Sequence, residues 1–129
     1  FVMGRSMGRH AAFEIAANSP GRVQGMIIES GRPTLGQFIN GIEESAALVL
    51  EQDYRAKVAS ISIPALVIHG EMDTLAPVED AVSMYESLAS TDKRLLTIPG
   101  AGHNDLLYVG INEYFNAIKD FVFPGSAAA

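Results

Sequence analysis

The sequence predicts an α/β fold on a mainly parallel sheet. Strand-like and helix-like segments alternate from end to end. The run Ala65-Leu66-Val67-Ile68-His69 is uncharged, as a strand buried on both faces requires. The last helical segment places Ile111, Tyr114, Phe115, Ile118, Phe121 and Val122 at offsets of 3, 4, 7, 10 and 11, a single apolar stripe.

In chain order, residues 1–3 read as the end of a strand. Residues 7–18 read as a helix with Met7, Ala11, Ala12, Ile15 and Ala16 on its inner face, stopped by Pro20-Gly21. Residues 23–29 are a short apolar strand, and Gly31-Arg32-Pro33 breaks the chain again. Residues 35–59 are mostly helical with weaker periodicity. Pro64 introduces the buried strand at 65–69. Pro77 suits a first helical position, with Val78, Ala81, Val82, Tyr85 and Leu88 facing inward on a helix that runs to about Ala89. Residues 95–98 form a further strand, closed by Pro99-Gly100. No repeat or linker divides the chain, so residues 1–124 read as one domain. Residues 125–129, Gly-Ser-Ala-Ala-Ala, read as a disordered tail or a cloning scar.

The length of 129 residues suits that single domain, and 48% hydrophobic with 19% charged residues excludes a disordered chain. A net charge of −6 argues against a nucleic-acid partner. No apolar run approaches the roughly 20 residues that span a bilayer. Cysteine is absent, which excludes disulfides and thiolate metal sites and fits a cytoplasmic home. No histidine pair or carboxylate cluster has metal-ligand spacing, and no cofactor is implied. Oligomeric state is not legible.

Gly4-Arg5-Ser6-Met7-Gly8 matches G-x-S-x-G where a strand gives way to a helix. Such a turn puts a strained serine at its apex, and glycines on either side let strand and helix approach. The next backbone N–H, that of Met7, would face a developing oxyanion, helped by the partial positive charge of the helix start. The same residues also fit a Gly-rich turn with a capping serine.

A serine hydroxyl needs a base to take its proton, and the base needs a carboxylate to hold it. Asp73 follows the buried strand, in His69-Gly70-Glu71-Met72-Asp73, and His103 follows the next strand, in Gly100-Ala101-Gly102-His103-Asn104-Asp105. Each is also a plausible plain turn or loop residue. Their order, Ser6 then Asp73 then His103, with each at a strand end, favours a joint role. Among the other candidates, Glu29 is an alternative acid and His69 a hydrogen-bonded neighbour of the acid loop. His10 reads as a helix-surface residue and Asp105 as a turn or cap.

These three motifs together resemble the α/β-hydrolase superfamily, in its esterase and serine aminopeptidase-like branch, over nearly the whole chain. The resemblance implies helices on both faces of the sheet, with this chain as the C-terminal half of the fold. It implies Ser6 as nucleophile, His103 as base, Asp73 as orienting acid and Met7 N–H as one oxyanion donor. The family carries further strands and a second oxyanion donor upstream, so the expectation is a partial domain that is inactive alone. Residues 34–59 lie where the family often carries a lid. There Phe38, Ile42, Leu48 and Leu50 either line an acyl pocket or, the preferred reading, pack on the sheet. The expected function is hydrolysis of an ester, thioester or amide of a small acyl substrate through an acyl-enzyme. The alternatives are an acyltransferase with the same three residues and a non-catalytic binding module.

Overall fold

A computed structural model describes residues 1–126. The sheet has four parallel strands: β1 (Val2–Arg5), β2 (Met26–Glu29), β3 (Ala65–Gly70) and β4 (Lys93–Ile98), the middle two being the most apolar. Their spatial order is their chain order, so β1 and β4 are the edges. Arg5 lies in register with Glu29, and Glu29 with Ile68. Every residue of β3 is buried, as its uncharged run requires, and so is every residue of β2, Glu29 included.

Alternation along these strands builds two apolar layers. Met26, Ile28, Ala65 and Val67 face α1 (Arg9–Asn18), α2 (Glu44–Ser60) and α3 (Val78–Ser87) through Phe13, Val58 and Met84. Ile27, Leu66 and Ile68 face α4 (Leu106–Val109) and α5 (Ile111–Val122) through Leu106, Tyr114 and Phe121. Helices therefore cover both faces of a parallel sheet, the arrangement of the α/β-hydrolase fold. The start of α2 is fixed by Glu43, whose carboxylate accepts from the amides of Ser45 and Ala46, both at 3.1 Å.

Several inward faces differ from expectation. On α1 the buried residues are Arg9, Ala12, Phe13 and Ala16, while Met7, Ala11 and Ile15 are exposed. The true stripe has helical spacing but opens with an arginine, which an apolar count skips. On α3 Met84 is buried and Val82 faces outward. Phe38, Ile42, Leu48 and Leu50 do not pack on the sheet: all are 41–59% exposed, and Tyr54, Val58 and Ile61 take that place. On α5, Ile111 and Phe115 are exposed while Tyr114 and Phe121 are buried. The turn helix α4 was not foreseen. Of the expected tail at 125–129, residues 127–129 lie outside the described residues, and the Ser126 amide donates to the Phe123 carbonyl at 3.1 Å in a closing turn.

Candidate active site

Ser6, Asp73 and His103 sit on loops that leave the C-terminal ends of β1, β3 and β4. Parallel strands end at one edge, and their loops meet there. Ser6 begins a 3-10 turn into α1 and has φ +51°, a left-handed backbone that a non-glycine residue rarely adopts. Gly4 makes the turn possible: a Cβ there would lie 2.7 Å from the Gly8 carbonyl oxygen and 2.9 Å from the Ala12 Cβ. Gly8 has no such duty. It has open space around it and an ordinary φ of −60°, so the expected need for both glycines holds for the first alone.

Gly70 does the equivalent for the other two loops. A Cβ there would lie 2.4 Å from the Ala101 carbonyl oxygen and 2.5 Å from that of Gly102. Its absence lets the His103 loop seat directly on the Asp73 loop, where the Met72 amide donates to the Ala101 carbonyl at 2.8 Å.

The three side chains form one hydrogen-bonded chain. His103 Nδ1 lies 2.7 Å from Asp73 Oδ2, and His103 Nε2 lies 2.9 Å from Ser6 Oγ. A carboxylate only accepts, so Nδ1 carries the proton and donates to Asp73. Nε2 is then left to accept from the Ser6 hydroxyl. Asp73 is also the turn residue of the plainer reading: its Oδ1 accepts from the amides of Leu75 at 2.9 Å and Ala76 at 2.8 Å. One oxygen builds the turn and the other meets the imidazole. Burial pushes the carboxyl upward, but the Ala76 amide, His103 and the Leu75 amide outweigh it and hold it below its ordinary value.

The remaining candidates are placed as follows. His69 is fully buried, and its Nε2–H donates to the Ala76 carbonyl at 2.7 Å, which fixes the acid loop as expected. Glu29 does not reach the imidazole as an alternative acid: it pairs with Arg5 Nε at 2.6 Å and accepts from the Tyr114 hydroxyl at 2.6 Å. His10 is not a surface residue. Its Nδ1 is 2.9 Å from the Tyr54 hydroxyl, its ring meets Phe38 edge-on, and burial holds it below its ordinary pKa. Asp105 precedes α4, and its Oδ1 accepts from the Gly102 amide at 2.6 Å. The Met7 side chain is 63% exposed, and its amide is the first beyond Ser6 in the turn.

Two arginines escaped sequence reasoning. Arg5 Nη2 donates to the His103 carbonyl at 2.8 Å and to Asn104 Oδ1 at 2.7 Å. Arg9, 5% exposed, donates to the carbonyls of Arg32 at 3.1 Å, Ser6 at 3.2 Å and Thr34 at 2.9 Å. The available signal was helical spacing, since Arg9 stands three and four residues before Ala12 and Phe13. A cavity of about 280 Å³ opens beside Ser6 and His103, with Arg9, Arg32, Phe38 and Leu75 in its walls.

Comparison with known proteins agrees with this architecture. Residues 45–107 match the model of the serine aminopeptidase S33 family, a stretch that includes Asp73 and His103 but not Ser6. The Escherichia coli K12 protein YfhR is 28% identical over 108 residues, covering 81% of this chain and 38% of YfhR. Protein bem46 of Schizosaccharomyces pombe is 25% identical over 130 residues, covering 94% of this chain and 42% of bem46. The chain thus spans about two-fifths of the length of these relatives. The esterase Pf2001 of Pyrococcus furiosus superposes with a TM-score of 0.71 at 20% identity, over 93% of this chain and 51% of the esterase. The chain has the α/β-hydrolase fold, and the proteins it is similar to are α/β-hydrolases. The stretch from α2 to the loop that holds His103 is the part that resembles the serine aminopeptidases. Among the described residues no helix is long and apolar enough to cross a membrane.

Proposed function

We propose that the protein is a serine hydrolase of esters, thioesters or amides that works through an acyl-enzyme. The observation that carries this reading is the continuous chain from Ser6 Oγ through the His103 ring to Asp73, with links of 2.9 and 2.7 Å. Ser6 Oγ attacks the substrate carbonyl as its proton passes to His103 Nε2. Asp73 steadies the imidazolium, and Met7 N–H faces the oxyanion. His103 then protonates the leaving group, and the acyl group remains on Ser6. Water, deprotonated by His103, attacks the acyl-enzyme and frees the acid and Ser6. The left-handed turn at Ser6 supports the reading, because uncommon backbone conformations gather at working sites. In this reading residues 1–124 are part of a larger hydrolase domain, 34–59 act as its lid, and the setting is cytoplasmic.

A fluorophosphonate probe tests the assignment. The protein is expected to be labelled at Ser6, and the Ser6→Ala variant is not. Equal labelling of that variant sinks the assignment.

A further inference from the structure

Four of the nine Lys and Arg residues, Arg5, Arg32, Arg55 and Lys57, pair with the carboxylates of Glu29, Asp80, Glu51 and Glu14, and all four are more exposed than Arg9. Arg9 is 5% exposed, donates to the carbonyls of Ser6, Arg32 and Thr34, lies over the Phe38 ring beside Tyr54, and has Asp80 only as a more distant opposite charge with no direct ion pair. Carbonyl dipoles satisfy hydrogen bonds but do not neutralise a charge, and a buried charge without a directly bonded counter-charge is costly. A guanidinium also carries more N–H donors than these three bonds use.

The placement of this charge is informative. Arg9 forms the wall of the cavity beside Ser6, with Arg32 next to it. No Asp or Glu is among the described residues that line the cavity. Asp80 reaches Arg32 at 3.4 Å, a partly exposed pair that a competing anion could share. Met7, Leu35, Phe38, Leu75 and Ala76 give the wall an apolar part beside the uncharged polar side chains of Ser30 and Gln37. The cavity therefore offers a hydrocarbon surface, a reacting serine and a surplus of positive charge, in a chain whose net charge is −6.

We propose that this cavity takes acyl substrates that carry a carboxylate, held by Arg9 with Arg32 beside it. The inference rests on the hydrolase reading for the chemistry and on charge balance for the specificity. A planar carboxylate suits the guanidinium fork and supplies a direct counter-charge. Hydrolysis consumes one water, breaks the acyl C–O bond and leaves the product as a dicarboxylate.

The test compares para-nitrophenyl hydrogen adipate with the neutral para-nitrophenyl hexanoate on the full protein. The anionic ester is expected to have the higher kcat/KM, by about tenfold to a hundredfold, as for a hydrogen bond to a charged group. The preference should shrink with added salt. Arg9→Met should bring the ratio to parity or below, Arg32→Gln should lower it part way, and Asp80→Asn should raise it. A purely structural Arg9 would lower both rates together and leave the ratio intact. Preference for the neutral ester in the wild type overturns the inference, as does a ratio unchanged in both arginine variants. If Arg9→Met does not fold, the Arg32 and Asp80 variants decide the matter. If neither ester is turned over and Ser6 is not labelled, the hydrolase reading fails on its own. Calorimetry of adipate with Ser6→Ala protein then judges the anion site separately. Binding that is lost in the Arg32→Gln background supports it, and no binding overturns it.

Discussion

The Arg5 guanidinium joins the His103 carbonyl, at 2.8 Å, to the strand that carries Ser6. Glu29, buried on the neighbouring strand, holds the other side of Arg5 at 2.6 Å. The loop of the proposed base is thereby tied to the proposed nucleophile by a route separate from the imidazole. Arg5→Leu should lower kcat by about 10²-fold, the typical cost of a small misplacement, with KM little changed. Arg5→Lys should recover part of the loss by restoring the charge without the fork. Steady-state kinetics on a neutral ester, with folding checked by circular dichroism, is the measurement.

Asp73→Asn removes the acceptor that fixes the His103 tautomer. The expected fall in kcat is about 10⁴-fold, as when the acid of a serine protease is changed in this way. The same residue gives a pH signature. Its native pKa lies below its ordinary value, so its stabilising contribution is complete above the unfolded value of about 3.9. That contribution fades as the pH falls through the native value. Urea midpoints of wild type and Asp73→Asn should therefore differ at pH 6 and converge in strong acid. A gap that does not narrow on acidification would contradict the favourable environment found for Asp73.

Tyr114 is buried on α5, and its hydroxyl donates to Glu29 at 2.6 Å. Burial raises the Tyr114 pKa, so the hydroxyl keeps its proton and remains a donor at neutral pH. Tyr114→Phe leaves a buried carboxylate short of one donor. A loss of about 1–3 kcal/mol is expected from urea unfolding. Activity should fall less than in Arg5→Leu, because the Arg5 bond to the His103 carbonyl persists.

The two elbow glycines should behave oppositely. Gly4→Ala drives a methyl group into the Gly8 carbonyl and the Ala12 side chain, and should cost both stability and Ser6 labelling. Gly8→Ala meets open space at a helical φ and should raise stability by about 0.4–1 kcal/mol. Thermal denaturation of the two variants side by side checks this.

The contrast between Gly4 and Gly8 marks how far the sequence could be read. The alternation of elements, the buried β3 and the meeting of Ser6, Asp73 and His103 were legible, because strand-end loops of a parallel sheet must converge. The polar members of the interior were not. Arg9 and Glu29 look like surface residues until their partners are known, and those partners lie 23 or more residues away for Arg32, Thr34 and Tyr114. Likewise His10 is drawn inward by Tyr54 and Phe38, which a single-helix pattern does not reveal. The weak periodicity of 35–59 hid which residues reach the sheet, since only Tyr54 and Val58 of α2 are buried.

Ser30 has φ +54°, nearly that of Ser6, and the residues just before them, Glu29 and Arg5, are paired across β1 and β2. Two adjacent strands thus bend at the same height in the same uncommon way. The floor of the cavity, which both serines line, is consequently set by main chain rather than by side-chain choice. Side chains of the wall, such as Phe38 and Leu75, can be exchanged to alter what enters without moving that backbone.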